Sequence, residues 1–419
     1  MDSRDIQELE KQLAQAKEQM DAPHFPEVQE QKNGGQRILS TINNLAALMT
    51  HRHLSAEYDV IHKRVKVSGL QSLPGDEENT LYTELLSQAS LHGMPTGNLN
   101  DYLWRVSRDN AINPVVSWLQ SLPPCNAAPY TEFIEHCGFT RPEWSVVAFR
   151  RWLIQSVAAA DHREKSPNPN ARPEFPYVLV LAGSQGLTKT ALMYELLPGH
   201  MREYFSAGRM LRCDSRDSVV EAVNNWIVEL GEIDSTFRKS DIAALKAFLT
   251  NQVDDLRLPY ARAWSKMPRR TSFMATVNHL QFLQDTTGNR RFWPLVVDSK
   301  IGVLPEGLST RLWAFAWREY LNGEQWWLTS DEEQLHAEIV ATHEDKPLKE
   351  RLLDFYNFEM DTRPLELTGS DVLKELGMSP GDKSAQTQLG QILTKDLDIE
   401  KRQRKYQLPP RTSSNTYNL

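Results

Sequence analysis

The pattern of apolar and polar positions opens on a polar stretch. Residues 1–35 are rich in Gln and Lys, and Ile6, Leu9, Leu13 and Met20 fall at helical spacing without a sustained heptad run. A frayed helix or tail ending at Gly34-Gly35 is expected. From 36 to 123, helical stretches (LYTELLSQASLHG, NPVVSWLQSLP) flank one strand-like run, HKRVKVSG, in which Val65 and Val67 alternate with Lys. This predicts a small α+β region closed by Pro123-Pro124. Residues 124–170 read as a helical segment with Phe149, Trp152, Leu153 and Val157 on one face. It runs into SPNPNARPEFP, 166–176, whose breakers cannot continue a helix and mark a linker. At 177 the pattern changes. YVLVLAG is a continuous apolar run, as in a strand covered on both faces. Further apolar runs end at Glu229 and Asn278 and begin after Arg291, so 171–328 is expected to be an α/β domain. In the remainder, 329–419, a helix is expected from Ser370 to Leu376, then a Gly-Met-Ser-Pro-Gly turn and a second helix presenting Leu389, Ile392 and Leu393. Strand-like LDIEKRQRKYQL follows, completing the plan of a winged-helix-like module.

Composition supports a folded chain. Of 419 residues, 40% are hydrophobic and 24% charged, and 11 are Trp, enough for more than one core. No run reaches about 18 apolar residues, so no membrane span is expected. The opening MDSRDIQELEKQ lacks the apolar centre of a secretory signal. Cys125, Cys137 and Cys213 form no CxxC pair, which excludes a disulfide framework and a cysteine zinc site as first choices. A cytoplasmic location is the expectation. The net charge of −8 argues against an all-round nucleic-acid surface, but it averages an acidic body with basic segments at 257–270 and 401–411.

The candidate chemistry begins after YVLVLAG. Gly183, Lys189 and Thr190 match the phosphate-loop template G-x-x-x-x-G-K-[ST], with Thr188 where the last glycine would stand. In such a loop the backbone of Gly183, Ser184, Gln185, Gly186, Leu187 and Thr188 cradles phosphate oxygens. Lys189 reaches the β- and γ-phosphates of ATP, and the Thr190 hydroxyl ligates Mg²⁺. Thr188 departs from the template because its Cβ crowds the backbone or penalises a positive φ. Glu229 ends the run Trp226-Ile227-Val228, where a carboxylate serves magnesium and its water, and Glu232 could polarise the attacking water. Asn278, at another strand end, could orient that water. The adjacent Arg290 and Arg291 suit a charge-stabilising finger, supplied in cis or across a subunit interface. Lys246, a DNA-binding candidate, sits on a helix beside the apolar face of Ile242, Leu245, Phe248 and Leu249. Beyond it, Arg257, Tyr260, Arg262 and Lys266 mix cations with aromatics, as single-stranded DNA requires. A solvated basic loop with Trp264 tucked into a core is the other reading. In the C-terminal module, Lys401, Arg402, Arg404 and Lys405 are the candidate wing contacts.

The run ELGEID…RKSDIAALKAFLTNQVDDLRLPYAR…PRRTSFMATVNHLQFLQDTTGNRRFWPL resembles the core of the virulence-associated E family. These are P-loop proteins of phages, prophages and pathogenicity islands, similar to superfamily 3 helicases and to the ATPase half of phage primase-helicases. The resemblance covers about 170–328. It implies a P-loop NTPase core of the AAA+ and superfamily 3 type, with Lys189 and Thr190 as Walker A residues and Glu229 and Glu232 as the Walker B region. It further implies Asn278 as sensor, Arg290 or Arg291 as arginine finger, and a channel-lining hairpin within 239–270. The cofactors implied are ATP and Mg²⁺. The partners implied are single-stranded or forked DNA, further copies of the chain in a hexameric ring, and other replication proteins of the element or host. The expected function is a DNA-associated motor, a helicase or replication-initiator ATPase. The alternative is a nucleotide-binding regulator or assembly switch that hydrolyses weakly because of Thr188.

Overall fold

Five parallel strands organise the larger part of the chain. The computed structural model describes residues 22–69, 76–163, 166–172, 174–231, 239–256, 264–278, 289–343, 348–358, 365–378, 380–381, 383–399 and 401–412. Two compact units result, Met1–Ile339 and Val340–Leu419.

The larger unit begins with β1 (Val28–Glu30) and β2 (Gln36–Ile38), then α1 (Ile42–His51), β3 (Ser55–Asp59), β4 (Arg64–Ser68), α2 (Glu77–Leu91), α3 (Leu99–Asp109) and β5 (Ala111–Ile112). The β1–β2 pair is antiparallel, with Gly34 at positive φ in its turn. This corrects the expected tail, of which 1–21 lies outside the described residues. The buried Asn44 amide secures the pair by bonding the Glu27 and Leu39 carbonyls at 2.7 and 2.8 Å. Strands β4-β3-β5 form a small sheet over a core that includes Leu45, Leu48, Leu81, Leu85 and Leu103.

Next come α4 (Pro114–Ser121), α5 (Tyr130–Cys137), α6 (Pro142–Asp161), β6 (Val178–Ala182), α7 (Lys189–Glu195), β7 (Phe205–Arg209), α8 (Arg216–Val223) and β8 (Ile227–Leu230). They are followed by α9 (Lys239–Leu249), β9 (Val253–Leu256), β10 (Ser265–Pro268), β11 (Ser272–Val277), β12 (Phe292–Val296), α10 (Leu308–Leu321) and α11 (Ser330–His343). The main sheet has the order β12-β6-β11-β8-β7, all neighbours parallel. Strand periodicity sends alternate residues of β6 to opposite layers. Leu179 and Leu181 join the core built by α4–α6 and α10, whereas Val178, Val180 and Ala182 join Leu245, Phe248 and Leu249 of α9 on the other face.

That packing revises the expected boundaries. Helices α5 and α6 are not a segment ahead of the sheet domain but one of its covering layers. Trp144 and Trp152 on α6 donate to the Pro294 and Phe273 carbonyls at 2.7 and 2.9 Å. The 166–176 stretch is not a free linker either. Phe175 is buried in the same core, Trp326 donates to the Glu174 carbonyl at 3.2 Å, and Asn168 donates to Gly323 at 2.9 Å. The larger unit also extends beyond the expected limit at 328. His336 donates from Nε2 to the Phe292 carbonyl at 2.9 Å, and Ile339 packs into the core.

The smaller unit contains α12 (Leu348–Phe355), β13 (Leu365–Thr368), α13 (Gly369–Glu375), α14 (Lys383–Gln391), β14 (Lys401–Arg402) and β15 (Lys405–Leu408). Its sheet order is β13-β15-β14, antiparallel throughout. Thr368 starts α13 through a capping box with Asp371. Leu389 and Leu393 are buried, as their spacing requires.

Candidate functional site

The carboxyl end of β6 gathers most of the chemistry. Residues 183–188 turn the chain from β6 into α7, and each has a local reason for its shape. A Cβ on Gly183 would stand 2.3 Å from the Val297 carbonyl oxygen, so only glycine fits against that neighbour. Thr188 adopts φ 61°, ψ 24°, the left-handed region that costs a β-branched residue most. Its hydroxyl partly compensates, standing 2.7 Å from the Ile301 carbonyl and 2.6 Å from that of Leu187, while the Ile301 N–H donates to Leu187 at 3.3 Å. The loop is therefore clamped to the segment after β12.

Lys189, only 7% exposed, donates from Nζ to the Gly183 and Ser184 carbonyls at 2.5 and 2.9 Å. Thr190 points across the sheet, its hydroxyl 3.3 Å from Oε1 of Glu229. Glu229 is 3% exposed on β8 and is held from two further sides. Thr276 on β11 donates to Oε1 at 2.7 Å, and the Gly208 N–H of β7 donates to Oε2 at 3.1 Å. Sequence reasoning missed Thr276 and Gly208. A hydroxyl two residues before Asn278 was the available signal for Thr276, whereas a backbone N–H leaves none. Asn278 follows β11 directly, and Val277 accepts from the Gly183 N–H at 3.2 Å, which sets Asn278 beside the loop.

Among the described residues no three His, Cys, Asp or Glu side chains gather as a metal cluster. The pair formed by Thr190 and Glu229 nevertheless suits magnesium. Both donors are hard oxygens, and this ion typically takes one or two carboxylates and completes its shell with phosphate and water.

Arg290 and Arg291 are not brought to this end. They form a short 3₁₀ turn, Asn289–Arg291, before β12, whose first residue Phe292 pairs with Val178 at the start of β6. The length of β6 separates the pair from the loop by about 13 Å of strand. A finger supplied in cis is excluded by that geometry. Arg290 is exposed; Arg291 donates to the Thr250 hydroxyl at 3.2 Å, and burial together with the Arg290 charge lowers its pKa.

The β9–β10 hairpin stands at this same amino end and is antiparallel, pairing Leu256 with Ser265. Arg257, Tyr260 and Arg262 lie outside the described residues, as does Glu232. Lys266 is exposed on β10, and Trp264 is 49% exposed with Arg216 stacked 5.0 Å from its ring, so it is not tucked into a core. Lys246 is 8% exposed, because its helix turns that face into the protein, and it offers little to a strand. Arg269 is committed to structure. Buried at 2% exposure, it grips Asp254 through Nε and Nη2 and donates to the Phe248 carbonyl at 3.0 Å.

In the smaller unit Lys401, Arg402, Arg404 and Lys405 are all exposed on the β14–β15 hairpin. Gln403 and Arg404 both take positive φ, the turn that matches strand twist, which sets Arg404 at its tip.

A family model described as the virulence-associated protein E-like domain matches residues 128–345, more than half of the chain. The chain belongs to that family. The matched span of this virulence-associated E-like protein starts ahead of α5, in keeping with the role of α5 and α6 as a layer of the sheet domain. Among curated proteins none matches it. Among solved structures, the apo C-terminal region of NrS-1 aligns with 88% of this chain and 98% of that one, at 14% identity and TM-score 0.42. An A-form apo structure of that region covers 74% and 77%, at 14% identity and TM-score 0.40. No helix among the described residues is long and apolar enough to cross a membrane.

Proposed function

We propose that this virulence-associated E-like protein is an ATP- and Mg²⁺-dependent P-loop ATPase that works on DNA as an oligomer, a helicase or replication initiator of a phage or other mobile element. One observation carries the reading: the Thr190 hydroxyl, at the end of a phosphate-type loop, meets the buried Glu229 carboxylate on the neighbouring side of the sheet at 3.3 Å, with Asn278 alongside. The strand order, with β6 between β11 and β12 and the loop at its carboxyl end, favours the same reading, because ligands of open α/β sheets bind beyond the carboxyl ends of the strands.

In this mechanism the loop amides and Lys189 bind the β- and γ-phosphates, the lysine exchanging the Gly183 and Ser184 carbonyls for phosphate oxygens. Thr190 and Glu229 would hold magnesium, which when bound draws charge from those oxygens. Asn278 or Glu232 orients the water that attacks the γ-phosphoryl group as the bond to ADP breaks. Arg290 or Arg291 acts on a neighbouring subunit's nucleotide, since its own is at the far end of β6. The smaller unit, read as a winged helix, contributes Lys401, Arg402, Arg404 and Lys405 to DNA phosphates.

The experiment is ATP turnover with and without single-stranded DNA. Lys189→Ala should reduce turnover by about 10²-fold, the usual scale for losing a group aimed at transition-state charge, and DNA should stimulate the wild type. Turnover that ignores both DNA and the substitution would sink the proposal.

A second reading, a nucleotide-dependent switch, rests on Thr188. Its left-handed backbone and its clamp to Ile301 favour a loop that holds nucleotide and turns it over slowly.

A further inference from the structure

At the amino ends of the parallel strands, opposite the nucleotide loop, a cleft of about 230 Å³ opens between the N-terminal α+β layer and β10. Its walls carry Arg108 from the end of α3, Lys266 from β10 and Arg270 from the step into β11, and among the described residues no carboxylate lines it. Each cation is prepared for an outside partner. The Arg108 guanidinium lies 4.6 Å from the Tyr58 ring centre and 5.0 Å from that of Trp104. Among the described residues it has no carboxylate ion pair, so stacking orients the group and leaves its charge unneutralised. Arg270 uses Nη1 to donate to the Ala160 and Asp161 carbonyls at 2.6 and 2.7 Å, which closes the end of α6. Its Nε and Nη2 hydrogens find no acceptor among the described residues, the Asp161 carboxylate lies near enough to act on its charge, and the residue lines the cleft. Lys266 is exposed and likewise without an ion pair among the described residues. Trp104, beside the stacked arginine, keeps 36% of its surface exposed.

Three cations around a cleft with no carboxylate among its described lining residues, Asp255 standing across the hairpin from Lys266, match an oxyanion, and an exposed indole next to them matches a base adjoining a phosphate. We propose that this cleft binds a backbone phosphate of single-stranded DNA, held by Arg108, Lys266 and Arg270, with the neighbouring base against Trp104. The N-terminal layer and the base of the β9–β10 hairpin then form one strand-holding site at the end of the sheet away from the nucleotide. This inference rests on the reading of the chain as DNA-associated.

The test is the fluorescence anisotropy of a labelled oligothymidylate with the full-length protein, without nucleotide and across a salt series. Combining Arg108→Glu with Lys266→Glu should weaken binding at least about tenfold and reduce the slope of log affinity against log salt by about 1.4, from two lost contacts at about 0.7 each. Arg108→Lys alone keeps the charge and should stay within about threefold of wild type, which separates lost charge from lost fold. Equal binding by the wild type and the charge-reversed variant overturns the cleft. Failure of the wild type to bind the oligonucleotide overturns it together with the DNA-associated reading, whereas the Lys189→Ala turnover assay tests the ATPase reading separately. Inorganic phosphate and ADP are the free-phosphate arms. If the charge reversal abolishes their binding and leaves oligothymidylate untouched, the strand is the wrong source and the inference falls.

Discussion

Thr188 sets two opposed energies against each other. Its left-handed backbone costs about 1 to 2 kcal/mol, and its hydroxyl bond to Ile301 returns about 1 kcal/mol. Thr188→Gly removes both, so the thermal midpoint should move by no more than a few degrees. Turnover should rise, because the loop is released from its clamp; a fall in turnover would count against the switch reading. Gly183→Ala is the contrasting case. Its new Cβ meets backbone rather than a flexible side chain, and it should cost about 2 to 3 kcal/mol in chemical denaturation. At this scale the sequence was most informative where a residue type has one use. The spacing placed Lys189 and Thr190 at the start of a helix after a loop, and the structure puts them there, Thr190 beside Glu229. A basic run is less informative: a cation in it looks alike whether it faces a strand or, like Arg269, is spent on Asp254 inside the protein.

Among the elements, the hairpin is held by a buried ion pair at its base. Asp254→Ala would leave the Arg269 guanidinium buried and unpaired, a loss of about 3 to 5 kcal/mol in a denaturation curve, and Asp254→Asn should recover part of it. Acid should loosen the attachment of α11. Burial pulls His336 below its ordinary value of 6.5, so the folded state keeps it neutral while the unfolded chain takes up a proton. Its contribution is present above that value and is lost as pH falls through the lower folded value. Denaturation midpoints measured from about pH 7 down to about pH 5 should therefore fall more steeply for the wild type than for His336→Gln. The strongly patterned elements β6, α6 and β11 were legible in the sequence, because an apolar run or a repeated helical face leaves little choice. Strand β7, with sequence FSAGR, was not, since it has neither an apolar run nor alternation and owes its shape to pairing with β8. The 166–176 stretch misled because breakers rule out helix but say nothing about packing, and Phe175 anchors an irregular strap as firmly as a strand would.

For the whole molecule, the charge of −8 says less than its placement. In the smaller unit four exposed cations, Lys401, Arg402, Arg404 and Lys405, share one hairpin, so Lys401→Glu with Arg404→Glu should weaken DNA binding in a gel-shift assay and leave DNA-free ATP turnover unchanged. The family and the α/β sheet domain could be expected from the sequence, but the partition of the chain could not. Covering layers are recruited from segments distant along the chain, and the core that joins α4–α6 to β6 is invisible to local pattern. The parallel sheet also gives the chain two unlike ends, with Lys189 and Glu229 at one and Arg290 and Arg291 at the other. On the proposed reading, such a subunit would act as a plug with its socket at the opposite end, in head-to-tail contact rather than a symmetric pair. Specific turnover should climb with protein concentration. Mixing two inactive preparations, Lys189→Ala and the double variant Arg290→Ala, Arg291→Ala, should regenerate turnover wherever an intact loop comes to face an intact pair of arginines.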